Sequence, residues 1–365
     1  MENLEIEKLF GSVYKGKRVL ITGHTGFKGS WLAYWLYLMG AEVSGIALEP
    51  PTTPNHYDLL NIKIQSYIQD INDFNKTSQL IQKINPDIIF HLAAQPLVRL
   101  SYKEPLQTLQ TNIIGTANIL EASKNLTDLK AIVIVTSDKC YENKEWAWGY
   151  RENEPMGGKD PYSVSKGCAE LITSAFRHSF YNYENAPLIA SARAGNVIGG
   201  GDWAEDRIIT DIVKAASNND KVYLRFPSAT RPWQYVLEPI SGYLTLGWKL
   251  LNGEKLFADA WNFGPNWENN VSVLNLVTKA KTIWDKIDFD FDKGLHPHEA
   301  GFLMLDSSKA IKHLNWRPVW GFNKTLGNTM KWYQAFYENN NVLTQDVLYD
   351  YINDAKSLEI EWSKY

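Results

Sequence analysis

Cysteine is scarce in this chain: two in 365 residues, Cys140 and Cys168. Two thiols cannot build a disulfide framework or a four-thiolate zinc site, and both read as small buried apolar residues. Long hydrophobic runs are missing too. The longest, Trp31 to Met39, falls well short of the ~20 residues that cross a bilayer. The N-terminus MENLEIEKLF has no basic stretch leading into an apolar one, so no export or transit signal is expected and a cytosolic protein is. Positive charge is not in excess. With 37 Lys and Arg against 41 Asp and Glu, the net charge of −4 argues against a protein that coats nucleic-acid phosphates. An anionic ligand must then be held by a local set of donors. His296-Pro-His298-Glu299 offers two imidazoles but no evident third ligand, so a loop and no metal site are expected there. No repeat or low-complexity tract is visible.

What is present is ordinary globular composition, 44% apolar and 21% charged, at a length suited to one large domain or two intimate ones. Residues 18–22, 42–47, 87–94 and 131–137 are short runs rich in Val, Ile and Leu, the last two continuous rather than alternating. Such runs suit strands buried on both faces. Helical stretches lie between them at 27–39, 76–84 and 105–124, the last opened by Pro105. The alternation predicts an α/β fold with a doubly wound parallel sheet. Past Trp203 the texture changes to Trp, Asn and Pro with shorter periodic segments. We expect residues 1–190 to form the sheet domain. Residues 191–365 should form a smaller mixed α/β substrate domain, with some segments returning to the sheet and a helix at 342–355. Most tryptophans, including Trp31, Trp35, Trp146 and Trp148, should be core or interface.

Gly23-His24-Thr25-Gly26-Phe27-Lys28-Gly29 stands between the first strand and the first helix. In that context one glycine permits a tight turn, one admits a pyrophosphate to the backbone, and one lets helix and strand pack closely. The helix N-terminus offers free N–H groups and a positive dipole end to the anion. A dinucleotide cofactor is expected here. After the second strand, a ribose-binding acid would fall near Ala47. The nearest acid is Glu49 and no arginine stands there for a 2′-phosphate, which favours NAD over NADP.

Tyr162 and Lys166 lie one helical turn apart, about 25 residues beyond the 131–137 strand. A phenol is a poor base at its ordinary value of ~10, and a neighbouring ammonium with a cationic ring would lower it. The phenolate could then take a proton from a sugar hydroxyl. Ser137 could hydrogen-bond the same hydroxyl. Asp138 and Lys139 follow it, and they either form a solvated turn or supply a second acid/base pair. Simple alcohol oxidation needs no second pair, so the functional reading is an elimination.

GHTGFKGSWL (23–32), HLAAQPLVRLSY (91–102), TSDKCYEN (136–143), ARAGNVIGGGDWAEDRI (192–208) and RPWQYVLEP (231–239) resemble the extended short-chain dehydrogenases/reductases that modify nucleotide sugars. The resemblance covers residues 16–322, and Gly-x-x-Gly-x-x-Gly is the form of the cradle found in that superfamily. Within the family the chain looks most like the 4,6-dehydratases acting on CDP-glucose, because most others carry Asp-Glu where Asp138-Lys139 stands. The resemblance implies a Rossmann-type sheet with NAD held by Gly23, Thr25, Gly26, Phe27 and Gly29. It places Asp70 and Ile71 at the adenine, although a helix-capping Asp70 is an equal reading. It places Leu92, Ala93, Ala94 and Gln95 on the ribose side, Asn112 in support, and Tyr162 and Lys166 against the cofactor. Asn196, Arg207 and Arg231 would bind the diphosphate of CDP-glucose.

Ser137, Asp138, Lys139, Tyr162 and Lys166 would be catalytic. Tyr162 would take the 4-hydroxyl proton as hydride passes from C4 to NAD, and the ketone would acidify C5. Asp138 would then protonate the leaving C6 hydroxyl. Lys139 would remove the C5 proton or stabilise the enolate, and hydride would return to C6. Relatives pair through the helices near Pro105 and Tyr162, so a homodimer or homotetramer is expected. Rival readings are a nucleotide-sugar 4-epimerase, a 4,6-dehydratase of another nucleotide sugar, and a catalytically silent dinucleotide-binding scaffold.

Overall fold

The computed structural model describes residues 5–292, 294 and 303–364, so the His296–Glu299 stretch lies outside the described residues. Strands run in the order β1 (Arg18–Thr22), β2 (Glu42–Ala47), β3 (Gln65–Ile68), β4 (Ile88–His91), β5 (Ala131–Val135), β6 (Leu188–Ala194), β7 (Val197–Ile198), β8 (Lys221–Leu224), β9 (Thr230–Pro232), β10 (Gln234–Tyr235), β11 (Ala260–Phe263), β12 (Asn270–Ser272) and β13 (Asp288–Phe291). Seven of these form one sheet, β11-β6-β5-β4-β1-β2-β3, in which every neighbouring pair is parallel. Helices α1 (Phe27–Leu38), α2 (His56–Leu60), α3 (Phe74–Ile84), α4 (Val98–Lys103), α5 (Pro105–Leu109), α6 (Gly115–Ser123) and α7 (Pro161–Ser179) belong to the first half. The second half adds α8 (Ile208–Asn218), α9 (Leu237–Leu251), α10 (Val273–Ile283), α11 (Ser308–Leu314), α12 (Phe322–Asn339) and α13 (Thr344–Ser357). Among the described residues no helix is long and apolar enough to cross a membrane.

The continuous apolar runs work as two-faced strands. Val19, Ile21, Ile88, Phe90 and Val133 enter one core with α1 and α9, while Leu20, Ile89, Ile132 and Ile134 enter another with Ile81 of α3 and Ile119 of α6. Alternate residues point to opposite faces of a strand, so a strand without polar positions needs cover on both. The sheet extends past residue 190. β6 crosses that position, α9 packs on β5 and β6, and β11 pairs with β6 as the edge strand. Three two-stranded ribbons (β7–β10, β9–β12 and β8–β13) make the smaller mixed region beside the sheet's C-terminal edge.

Several sequence expectations shift at their ends. The 87–94 run stops as a strand at His91, and the 131–137 run stops at Val135, because the chain turns from the sheet at the residues that line the cavity described below. The 105–124 helix is interrupted by one π turn, Gln110–Ile114, between α5 and α6. Such a bulge is common where a side chain in a helix has a function. One expectation fails on burial: Cys140 is buried, but Cys168 faces partly outward on α7. Most tryptophans are core, Trp31 and Trp35 among them, and Trp148, 71% exposed beside Trp146, is an exception.

Candidate active site

The sheet reverses its winding between β1 and β4, and ligands of doubly wound sheets bind outside the strand ends at that point. Gly23 ends β1 there at φ +79°, and a Cβ on it would stand 2.7 Å from the Ala93 nitrogen. A Cβ on Gly29 would lie 2.0 Å from the Gly23 carbonyl oxygen, so α1 approaches β1 only because residue 29 is glycine. Gly26 differs. Its Cβ would meet nothing closer than 3.4 Å, and as N-cap of α1 it supplies no capping side chain. The first N–H groups of α1 therefore face open space, which suits an anion.

Behind the cradle runs a hydrogen-bonded chain. The Ala93 N–H donates to the Thr22 hydroxyl (3.2 Å), Thr22 Oγ1 pairs with His91 Nδ1 (2.7 Å), and His91 Nε2 pairs with Thr116 Oγ1 (3.1 Å). The Thr116 hydroxyl donates to the Asn112 carbonyl in the π turn (2.7 Å). Burial, aided by the Lys166 charge, pushes His91 down to about 3, so the ring is neutral at physiological pH. Asn112 does not line the cavity. Its side chain accepts from the Gln95 N–H (2.8 Å) and donates to the Gln95 carbonyl (3.1 Å) and Ser165 Oγ (2.8 Å). It joins the loop at Gln95 to α7.

α7 starts with Asp160 as N-cap, accepting from the Ser163 N–H at 2.9 Å, and with Pro161 in its first turn. That start fixes Tyr162 and Lys166 one above the other, both buried at 7% exposure, facing the short turn Asp138–Cys140. The Ser137 hydroxyl donates to Asp138 Oδ1 (2.8 Å) and accepts from the Lys139 N–H (3.2 Å), so the turn is ordered, not solvated. Burial pushes the Tyr162 phenol up to about 12, against a hydrogen bond with Ser137 and the Arg207 charge, and with Asp138 adding to the rise. The expected lowering by Lys166 is not found. Burial drives Lys166 itself down to about 8, opposed by Cys140 and Glu170, which weakens it as a source of charge.

One turn further along α7, Glu170 forms an ion pair with Arg193 of β6 at 2.8 Å, each side chain 4% exposed. Burial alone would raise the carboxyl. Arg193, together with hydroxyl donors Ser191 and Thr136, holds it below the ordinary range. Arg193 also donates to the Tyr141 hydroxyl (2.5 Å), which donates to Asn262 of β11 (2.8 Å). The turn carrying Asp138 and Lys139 is thereby tied to α7, β6 and β11 at once.

A cavity of about 1600 Å³ joins these parts, larger than the ~300–1,000 Å³ that holds one drug-sized ligand. Gly23, Thr25, Gly26, Phe27 and Gly29 line it, as do Leu92, Ala93, Ala94 and Gln95. So do Ser137, Asp138, Lys139, Tyr162 and Lys166. Asp70 and Ile71 close one end beside Glu49. Asp70 does not cap α3. It accepts from the Asn72 N–H at 2.9 Å, and Asp73 is the cap. Asn196, Arg207 and Arg231 line the other end. Arg207 pairs with Asp202 (3.2 Å), and Arg231 donates to the Thr230 carbonyl (2.9 Å).

The sequence reading passed over Lys28. This partly buried lysine at the second position of α1 lines the same cavity. Burial pushes it down to about 7, the Arg207 and Lys166 charges push the same way, and Asp138 opposes them. The available signal was electrostatic, since a cation in a first turn opposes the helix dipole.

A sequence profile described as GDP-mannose 4,6 dehydratase matches residues 20–329. A CDP-glucose 4,6-dehydratase of Salmonella typhimurium is 52% identical over 337 residues, covering 90% of this chain and 94% of that protein. A UDP-glucose 4-epimerase of Mycoplasma pneumoniae is 24% identical, covering 88% and 97%. Among solved structures, an epimerase of Methanothermobacter thermautotrophicus superposes with a TM-score of 0.77 at 22% identity, covering 94% of this chain and 96% of that one. A UDP-glucuronic acid 4-epimerase of Bacillus cereus, in complex with UDP-glucuronic acid and NAD, gives 0.73 at 24% identity, covering 87% and 99%.

Proposed function

We propose that this chain, which belongs to the GDP-mannose 4,6-dehydratase family of extended short-chain dehydrogenases/reductases, converts CDP-glucose into CDP-4-dehydro-6-deoxyglucose and water. The observation that carries the dehydratase reading is the ordered Asp138–Lys139 turn facing Tyr162 inside a cavity that reaches the glycine cradle. A 4-epimerase needs the cradle, Tyr162 and Lys166 but not that turn. The choice of CDP-glucose is supported by the Salmonella relative.

The residues present fit NAD. The α1 N-terminus carries no capping side chain, Gly26 leaves room above it, and the end of β2 offers Glu49 to the cavity. Gly23, Thr25, Gly26, Phe27 and Gly29 would hold its diphosphate, Asp70 and Ile71 its adenine, and Leu92 to Gln95 its ribose side. NAD, when held there, supplies an acceptor for the C4 hydrogen, a positive charge beside Tyr162, and the donor that returns the hydrogen at C6.

Tyr162 is a phenol at neutral pH in the protein itself, so it would first have to lose its own proton to solvent, a loss that the positive charge of bound NAD would favour, and the phenolate would then take the O4 proton. Ser137 orients the hydroxyl. Once C4 is a ketone, the C5 proton is acidic and the C6 hydroxyl can leave. Asp138, buried and within reach of Ser137, is the acid for that oxygen, and Lys139 takes the C5 proton or steadies the enolate. Asn196, Arg207 and Arg231 hold the sugar's diphosphate. In this reading the cofactor and the reacting end of the sugar are held by residues before 190, and the nucleotide's diphosphate by residues after it.

The exposed apolar residues Leu106, Val164 and Leu171 of α5 and α7, with Ile114 between them in the π turn, support pairing of two copies. We place the protein in the cytosol, where its two cysteines stay reduced. Mass spectrometry after incubation with NAD and CDP-, dTDP-, UDP- or GDP-glucose tests the reaction. Loss of one water from CDP-glucose without net NADH is expected. Water lost only from another sugar nucleotide overturns the substrate, and an isomer of unchanged mass overturns the dehydratase.

A further inference from the structure

His56 has no task in the reaction above. It is buried at the start of α2, and both of its ring nitrogens are taken by protein. Nδ1 pairs with Ser30 Oγ (2.8 Å) and Nε2 with Thr344 Oγ1 (2.8 Å). The Ser30 hydroxyl donates to the Phe27 carbonyl (2.9 Å), and the Trp332 indole N–H donates to Thr344 Oγ1 (3.1 Å). A hydroxyl has one proton to give, so these contacts run in one direction. Trp332 donates to Thr344, Thr344 to His56 Nε2, His56 Nδ1–H to Ser30, and Ser30 to Phe27. Such a chain needs a neutral ring, and burial pushes the imidazole down to about 3.

The chain runs from α12 and α13 to the first turn of α1, where Phe27 lines the cavity. The same rings carry the loop at the other end of the site. A Cβ on Gly201 (φ +92°) would stand 2.5 Å from the His56 ring, and one on Gly200 2.1 Å from the Trp332 ring. Trp31 of α1 stacks on His56 at 4.8 Å and donates to the Gly200 carbonyl (3.0 Å). Next in the chain is Asp202, which pairs with Arg207 (3.2 Å). Its N–H donates to the Tyr333 hydroxyl (2.8 Å), and that hydroxyl donates to its carbonyl (2.6 Å). No residue of α13 lines the cavity, so Thr344 acts on the site only through His56 and Trp332.

We propose that His56 is a positioning residue that, through Ser30 and Gly201, holds the glycine cradle and the Asp202–Arg207 loop in register, so that two ligands bound there meet at the distance hydride transfer needs. The proposal rests on the functional reading for the identity of those ligands. Thr344→Val deletes one hydroxyl with little change of shape and leaves His56 Nε2 and the Trp332 N–H unpaired. In the unliganded protein, hydrogen–deuterium exchange read by mass spectrometry should quicken about 10-fold in residues 26–32 and 199–203. Both segments stay closed most of the time, so NAD and CDP, each titrated alone, should bind within about 3-fold of wild type. Turnover of CDP-glucose should fall about 10–100-fold, the effect of a small displacement between reacting groups. Thr344→Ser should restore exchange and turnover. Thr329→Val, which removes a buried hydroxyl that donates to the Thr325 carbonyl within α12 (2.8 Å), should leave both as in wild type. Unchanged exchange or turnover in Thr344→Val overturns the proposal, and so do an NAD affinity that falls as far as turnover and equal losses in Thr329→Val. If Thr344→Val does not fold, Ser30→Ala cuts the chain at its other end and is judged by the same outcomes. Wild type that dehydrates no nucleotide sugar overturns the functional reading, and the exchange measurements then decide the positioning role by themselves.

Discussion

Arg193→Met tests whether the Asp138–Cys140 turn and α7 are held by the buried Glu170–Arg193 pair. The substitution keeps much of the side-chain volume and leaves Glu170 in a site where both partners are 4% exposed. Removing one member of such a pair costs about 3–5 kcal/mol, because the other is left buried and uncompensated. With an unfolding entropy of about 2 cal/mol/K per residue, the melting temperature of this 365-residue chain should fall by about 4–7 °C. The pH dependence should change sign as well. In wild type the Glu170 carboxyl is held low by Arg193, so its contribution is present above the unfolded value of ~4.3 and is lost as pH falls through the folded value. Without Arg193, burial raises that carboxyl, and stability instead falls as pH rises above ~4.3. Urea unfolding across this range, with Glu170→Gln and the double variant closing a cycle, measures both effects. A variant within about 1 kcal/mol of wild type would refute the reasoning, and so would one with an unchanged pH slope. Turnover should also fall by up to about 100-fold, since a shift of ~1 Å in Tyr162 or Asp138 is enough for that.

The other expected outcomes concern the reaction and the assembly. Tyr162→Phe should lower turnover by about 10²–10⁴-fold while CDP binding is retained, as read by mass spectrometry and titration. Asp138→Asn should still exchange the C4 hydrogen with bound cofactor but stall before water loss, so NADH absorbance accumulates during a single turnover; full turnover would remove Asp138 as the acid. Gly29→Ala places a Cβ 2.0 Å from the Gly23 oxygen. It should cost about 1–3 kcal/mol of stability and weaken NAD binding, measured by thermal melts with and without NAD. Leu171→Arg puts a charge on the exposed face of α7, where Leu171 is 59% exposed. It should lower the mass found by light scattering to that of one chain without destabilising it.

The sheet was legible where burial left one solution. Residues 18–22 and 42–47 are strands to the residue, because apolar runs bounded by glycine and a helix pattern have no competing use. Legibility failed where side chains serve the cavity. Leu92 to Ala94 and Thr136 to Ser137 are as apolar or β-prone as the strands they follow, yet the chain turns there, and only tertiary contact decides it. The π turn at 110–114 has no composition of its own; it follows from Asn112 binding Gln95 and Ser165 together. Tyr162 and Lys166 were findable from spacing, but their electrostatics were not. Burial outweighs the pairwise charge that sequence spacing suggests. The edge strand β11 was equally hidden, its Ala-Trp-Asn-Phe core showing neither alternation nor a β-branched run.

That edge strand also sets an order of events during synthesis. β6 pairs with β5 on one side and with β11 on the other, and the ribosome must deliver everything from Gly195 to Asp259 before the second partner exists. Throughout that interval Ser191 to Ala194 present an open row of backbone donors and acceptors, the kind of edge that recruits strands from neighbouring chains. Arg193 sits in the middle of it. A nascent or truncated chain ending before Ala260 would therefore leave that edge open while Arg193's partner Glu170 is already synthesised.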